Sequence, residues 1–352
     1  VETRVGPQDW SLGLTQNIPW WQKLWARGKR AEKETAIARL KYEAAARTLI
    51  VEVKDAYYEL YYLDQALPIT SDISQTLHED GLLAYSELES GRTQLGEAFR
   101  AESQAAQLRY DLFLLREQRA SQAERLRSLL NLPPETQIGR VEQAPIYQTT
   151  DDIADLHKRA ENYSEVLRIS GLEVEKAQYD KYLAKLTRIP DIGVGFNYIA
   201  TSSAAMGSPA DSGKDPFIGL LSMNLPIWEN RTQALIKEKK ALEEAMKREA
   251  LEDLNQTREA VAKAYFRTRL THRLAELYAG TLLPQAQAVM QQAELNFRAQ
   301  EASFSNVLET TLAYHNFLLA YHRAVADHGQ ALGALEKAIG TTAEPRKTEA
   351  GG

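Results

Sequence analysis

The residues able to do covalent or metal chemistry are few here, and badly spaced for it. Cysteine is absent, so the sequence offers no thiolate ligand, thiol nucleophile or disulfide. His315 and His322 lie seven positions apart and could share a helix face, but no third ligand accompanies them at metal-site spacing. A surface or packing role is the plainer reading for both. Four methionines do not make a copper-binding ladder. No nucleophile–base grouping, glycine-rich phosphate loop or paired metal carboxylate occurs, which points away from an enzyme and implies no cofactor and no metal. What stands out is indole. Trp20, Trp21 and Trp25 interleave with Lys23, Arg27, Lys29 and Arg30, and Trp228 stands in a similar setting further on. An indole has an apolar body and one polar N–H, a combination suited to a lipid–water boundary. The competing reading is a local core under a loop.

The stretches that carry these tryptophans are two copies of one phrase. DWSLGLTQNIPWW (9–21) aligns with DPFIGLLSMNLPIW (215–228), so that Asn17-Ile18-Pro19 falls on Asn224-Leu225-Pro226 and Trp21 on Trp228. VKDAYY (Val53 to Tyr58) then matches VAKAYF (Val261 to Phe266), and Leu129-Leu130-Asn131 matches Ala338-Ile339-Gly340. The offset drifts only from 207 to 209 residues, which marks an internal duplication. The domain reading follows from it: repeat 1 over 1–135, a connector over 136–150, repeat 2 over 151–340, and a disordered tail over 341–352.

Each phrase alternates with a period of two, the signature of a strand with one wet face. Trp10, Leu12 and Leu14 point one way, and Ser11, Gly13, Thr15 and Asn17 the other. A third strand, RIPDIGVGFNYIA (188–200), alternates Ile192, Val194, Phe196 and Tyr198 against Asp191, Gly193, Gly195 and Asn197. Residues 201–215 read as a long hairpin loop, with the return strand over 216–226. Between these strands lie long Ala-, Leu-, Glu-, Lys- and Arg-rich helical stretches. The first runs from about Ala26 to Glu89, a span of about 90–100 Å at the helical rise. Pro68, followed by Thr70, Ser71 and Asp72, suggests a kink or a capped restart within it. A turn at Ser90-Gly91-Arg92-Thr93 leads to a return helix ending near Asn131. The second repeat resumes a helix near Asp151 with a pause at Asn162-Tyr163-Ser164. Its long helix starts near Glu229, meets Pro284, turns over Ala299–Ser303 and closes near Ile339.

The net charge of −6 with both signs interspersed argues against a nucleic-acid partner, and no apolar run is long enough for a membrane-spanning helix. Strands of about ten residues with one greasy face, one glycine-rich face and aromatic ends fit a barrel in a Gram-negative outer membrane. A membrane sheet must close to leave no unpaired backbone in lipid. Three strands cannot close alone, so the barrel is expected to be shared between chains. Repeat 2 places a helix and a strand before its Asn-Leu-Pro strand where repeat 1 has only Val1–Gln8. About 50–70 further upstream residues are therefore expected in the natural chain.

In the order of its elements and in its duplication the sequence resembles the TolC-like outer-membrane efflux protein family, and QNIPWWQKLWARGKRAEKETA looks like the strand-to-helix junction of its heavy-metal branch. The resemblance implies a mainly α fold with membrane β. Long antiparallel helices would form a periplasmic α-barrel, and the strands part of a trimeric outer-membrane β-barrel. It implies a passive exit duct serving an inner-membrane pump through a periplasmic adaptor, conducting small solutes or metal ions. A type I secretion duct on the same fold and a soluble coiled-coil scaffold are the alternatives.

The resemblance also implies two hairpin tips, near Leu88–Glu97 and Phe297–Asn306, that meet the adaptor. Leu88, Gly91, Arg92, Thr93, Phe297, Arg298 and Ser303 are the contact candidates. The family's gate motif falls on Asn306-Val307-Leu308-Glu309-Thr310, and in the first copy on Glu97-Ala98-Phe99-Arg100-Ala101. Glu97, Arg100, Asn306 and Glu309 are thereby the pore and gate candidates, and threefold symmetry would turn Glu97 and Glu309 into acidic rings. The tyrosine and arginine that lock the gate in some members fall on Phe297 and Ala302, so that lock is not expected here. Arg100 is expected to pair instead with an acid on a neighbouring helix. Trp20, Trp21, Trp25 and Trp228 form the expected membrane-interface belt.

Overall fold

The structure is a computed structural model that describes residues 2–3, 6–89, 95–149, 151–204, 207, 210–342 and 345–346. In chain order the elements are β1 (Glu2–Thr3), β2 (Gly6–Ile18), α1 (Trp21–Glu89), α2 (Leu95–Leu129), β3 (Gln148–Thr149), α3 (Ile153–Tyr163), α4 (Glu165–Leu186), β4 (Ile192–Thr201) and β5 (Phe217–Met223). Then come α5 (Glu229–Leu277), a π-turn over Tyr278–Leu282, α6 (Leu283–Arg298), α7 (Phe304–Ile339) and β6 (Pro345–Arg346). The protein is mainly helical, with one principal sheet.

The sheet orders its strands β1-β2-β4-β5, all antiparallel. Its register decides which side chains share a face, because directly paired residues point the same way. Leu12 pairs with Tyr198, Leu14 with Phe196 and Ile18 with Ile192, and on the far side Phe196 pairs with Gly219 and Val194 with Leu221. That face is apolar throughout apart from Gln16, and it is bare: Leu14 is 74% and Leu221 81% exposed. The opposite face sets Gly13 against Asn197, Thr15 against Gly195 and Gly193 against Ser222. A Cβ at Gly193 would run into the Ser222 hydroxyl, so glycine lets the polar side chains close over this face.

Of the kink or short break expected at Pro68, the break does not occur: α1 is continuous, with the proline inside it. A proline in a helix leaves the carbonyl four residues earlier without its N–H partner. Here that carbonyl belongs to Asp64, and Arg140 Nη2 donates to it at 2.8 Å. The helix also starts earlier than Ala26, at Trp21, where the Trp20 carbonyl accepts from the Lys23 and Leu24 amides at 2.8 and 3.4 Å. Pro284 is met differently. The wide π-turn just before it is closed by the Leu283 amide donating to the Tyr278 carbonyl, and Pro284 stands at the start of α6, where a missing N–H costs little.

Contacts divide the chain into two units that cut across the repeats: residues 1–41 with 168–253, and residues 42–167 with 254–352. The first unit holds the sheet and three helical segments laced by ion pairs, Arg30 to Asp180 at 2.6 Å, Lys33 to Glu175 at 2.6 Å, and Lys181 to Glu243. The second holds the helical cores. In one core Val53 and Ala56 of α1 meet Leu126 and Leu129 of α2. In another Val261 and Ala264 of α5 meet Leu335 and Ala338 of α7. These are the same four positions of the repeat.

Both return helices end alike. Asn131 and Gly340, matched in the register, have φ of 50° and 74°, the left-handed conformation that stops a helix. The pause expected near Ser164 separates α3 from α4, and the Gly340 backbone lies against the Tyr163 carbonyl. Within the expected disordered tail, Pro345 and Arg346 pair with Thr149 and Gln148.

Candidate functional site

Three places hold the candidate residues: the strand-to-helix junctions, the hairpin tips, and the seat of the connector. At the junctions one residue, Asp191, serves both copies, the first through its carboxylate and the second through its backbone. Asp191, just before β4, accepts from the Trp20 amide at 3.1 Å and from Lys23 Nζ at 2.8 Å. Its own amide donates to Asn224 Oδ1 at 2.5 Å. Lys23 also donates to the Ile189 carbonyl at 2.5 Å and is buried, so this member of the basic cluster beside the indoles is turned inward. An ammonium drawn in by a carboxylate and a carbonyl is no longer free for a headgroup. Trp21 and Trp228 are 63% and 71% exposed. Trp20 is exposed as well. Trp25 is half covered, edge-on to Tyr179 and Tyr182 of α4.

At the tips, the α6–α7 turn is closed by the Glu301 amide donating to the Asn296 carbonyl at 2.8 Å, with Gln300 at φ 65°. Phe297 is half-buried. It packs edge-on against Phe304, ring centres 5.8 Å apart, in a small core with Tyr85, Ala98 and Ala101 that joins the two hairpins. Glu97 accepts from Ser305 Oγ at 3.1 Å. Arg100, Asn306 and Glu309 are exposed, as are Arg298 and Ser303. Arg100 is exposed and makes no ion pair among the described residues of this chain. Leu88 lies in the last turns of α1; Gly91, Arg92 and Thr93 fall outside the described residues.

Near the tips Asp80 was missed. Burial, with Glu294 of α6 and Glu79 adding like charge, pushes its carboxyl up to about 6. The spacing Ile73–Leu77–Asp80 already places it on the buried stripe of α1.

The connector's seat was missed too. Asp64, 3% exposed, accepts from Arg119 Nε at 2.7 Å and from the Val141 amide at 2.9 Å. In the other repeat His328 Nε2 lies 2.7 Å from the Tyr147 carbonyl, and its ring meets that of His272 with centres 5.4 Å apart. His315 and His322 are packing residues: His322 Nδ1 lies 2.9 Å from Tyr61 Oη, and His315 is buried. Burial lowers the pKa of both. Among the described residues no helix is long and apolar enough to cross a membrane, and no acid–histidine group is arranged to hold a metal.

Residues 5–132 match the family model described as outer membrane efflux protein. Sequence comparison with curated proteins finds no match. Among solved structures the outer membrane protein VceC from Vibrio cholerae superposes with a TM-score of 0.80 at 18% identity, covering 95% of this chain and 80% of its own. The outer-membrane channel OprN gives 0.81 at 16% identity, covering 94% and 75%. CusC, described as undergoing conformational changes on folding and transmembrane channel formation, gives 0.78 at 13%, covering 94% and 77%. At such identities the likeness is one of fold. Over residues 5–132 the chain is similar to the outer membrane efflux protein family, and its fold is that shared by VceC, OprN and CusC.

Proposed function

We propose that this protein is the outer-membrane exit duct of a tripartite efflux system in a Gram-negative cell, a homotrimer reaching into the periplasm. It conducts small solutes or metal ions passively, delivered by an inner-membrane pump through a periplasmic adaptor. The observation that carries this reading is the register of the sheet. One face is apolar apart from Gln16 and its side chains stand exposed among the described residues, and the other sets Gly13, Thr15, Gly193, Gly195, Asn197 and Ser222 beside Ile199, Ile218 and Leu220. A lone sheet in water does not leave such a face bare. In a shared barrel the first face meets lipid and the second a wet lumen. A soluble scaffold would have almost no strand, and the three long strands count against it.

The exposed tip residues Arg298, Ser303, Asn306 and Glu309, with Gly91, Arg92 and Thr93, are proposed to meet the adaptor and shape the entrance. The protein carries out no chemistry in this reading; the pump supplies the energy. The test is twofold. The protein should require detergent and form ion-conducting channels in planar bilayers. Deleting its gene should raise sensitivity to some of a panel of metal ions, drugs and dyes. A protein that stays dispersed without detergent and never conducts is not this duct.

A further inference from the structure

The two strand-to-helix junctions fill the same place differently. Four positions after the matched tryptophans Trp21 and Trp228 stand Trp25 and Thr232. In the first copy the Trp25 indole packs beside α4, edge-on to Tyr179 and Tyr182. In the second copy Thr232 borders a cavity of about 210 Å³, lined also by Thr187, Pro226, Trp228, Arg231 and Leu235. A single water needs only about 10–15 Å³, so the space takes a larger group.

The polar groups of this cavity are left over from the fold. Thr232 is 8% exposed, and its hydroxyl makes no hydrogen bond among the described residues. Arg231, which stands where the first copy has Leu24, is exposed and makes no ion pair among the described residues. The acid nearest to it in sequence, Glu229, is taken by Arg188. The first copy spends its own junction cation, Lys23, on Asp191. Its charge is therefore matched within the chain, whereas that of Arg231 is not. Trp228 and Arg231 also line an adjoining cavity with Ile227, Glu229 and Asn230, and Leu225, Ile227 and Trp228 are exposed apolar side chains.

We propose that this cavity seats the phosphodiester headgroup of an anionic phospholipid, with Arg231 and Thr232 on the phosphate and Trp228 along the glycerol. A guanidinium forks onto two phosphate oxygens, and a hydroxyl adds a further donor. The first turn of α5 lies at the same place, and the start of a helix favours an anion. Leu225 and Ile227 suit the first methylenes of an acyl chain, for which a free phosphate has no use. The seat belongs to the second copy alone, because the first has an indole at the matching position. This deepens the outer-membrane channel and rests on that reading for placing the junction at the lipid–water boundary.

The full protein in detergent, titrated with phosphatidylglycerol and followed by native mass spectrometry, should retain the lipid. Arg231→Gln, at an exposed position, should weaken retention about tenfold. Lys240→Gln, exposed further along α5, should leave it unchanged. Thr232→Trp places the first copy's indole in the cavity and should abolish retention. Thr232→Val removes only the hydroxyl and should weaken retention, which keeps the test sound if the tryptophan variant does not fold. Inorganic phosphate and glycerol 3-phosphate at the lipid's concentration should not compete. Competition by either as strong as that of the lipid overturns the lipid as occupant. A loss with Lys240→Gln equal to that with Arg231→Gln overturns the seat in favour of diffuse charge. Conductance of the same preparation reports separately on the channel. A conducting protein whose lipid retention ignores Arg231→Gln and Thr232→Val overturns the seat and leaves the channel standing. Retention that depends on both residues in a protein that never conducts supports the seat and removes the channel.

Discussion

Arg119 and His328 hold the same place in the two repeats, and each grips the connector that runs between them. Arg119 Nη2 donates to the Gly139 carbonyl at 3.2 Å while its Nε binds Asp64; His328 lies 2.7 Å from the Tyr147 carbonyl, with His272 where Asp64 would be. One repeat uses an ion pair for this task and the other a pair of imidazoles.

Arg119→Met leaves the Asp64 carboxylate buried with the Val141 amide as its remaining side-chain partner. Stranding a buried charge costs about 3–5 kcal/mol. The thermal midpoint in detergent should fall sharply, and adding Asp64→Asn should recover most of the loss. A double variant no better than the single one would show that the ion pair is not what seats the connector.

His315, His322 and His328 each have a pKa lowered by burial. A base whose folded pKa lies below its unfolded value of about 6.5 stabilises the fold fully above that pH and loses the contribution as pH falls through it. Thermal stability should therefore decline on acidification from pH 7 to 5. His328→Gln, which keeps a donor for Tyr147, should soften the decline.

Asp80 acts with the opposite sign. Its folded pKa of about 6 lies above the usual carboxylate value, so its ionised form destabilises the fold at neutral pH, and protonation relieves this as pH falls below 6. Asp80→Asn should raise stability at pH 7.5 by about 1–2 kcal/mol after allowance for its partial exposure. The gain should vanish near pH 4; a gain independent of pH would contradict the assignment.

Two glycines of α7 make a matched pair. Gly329→Ala should destabilise by about 1–3 kcal/mol through overlap with the Tyr58 ring. Gly333→Ala, whose Cβ would meet Val51 and Lys54 at ordinary distances of 3.6–4.0 Å, should be neutral or stabilising by up to about 1 kcal/mol from helix propensity. Denaturation of the two variants side by side checks both.

Substitutions at Gly91 and Thr93 should lower efflux while leaving membrane insertion intact. Drug or metal accumulation measured alongside the inserted fraction checks this, and loss of insertion would remove these residues from the tip.

The alternating strands, the long helices and the duplication were legible in the sequence, because each is a periodic pattern and periodicity is local. The register matched Asn131 with Gly340, and the structure gives both the same left-handed backbone. That the helix runs unbroken through Pro68 was not legible, because Arg140, which supplies the donor the helix lacks, lies in another part of the chain. In sequence Lys23 is one of the basic residues beside the tryptophans, yet its partner is the distant Asp191.

The order of elements, the two repeats and the greasy and polar faces of each strand were determined by the sequence alone. Which polar groups lie buried, and against what, was decided by the tertiary structure. The carboxylate of Asp64, the imidazoles of His272 and His328 and the ring of Phe297 take their roles from helices distant in the chain, and no local spacing encodes that proximity.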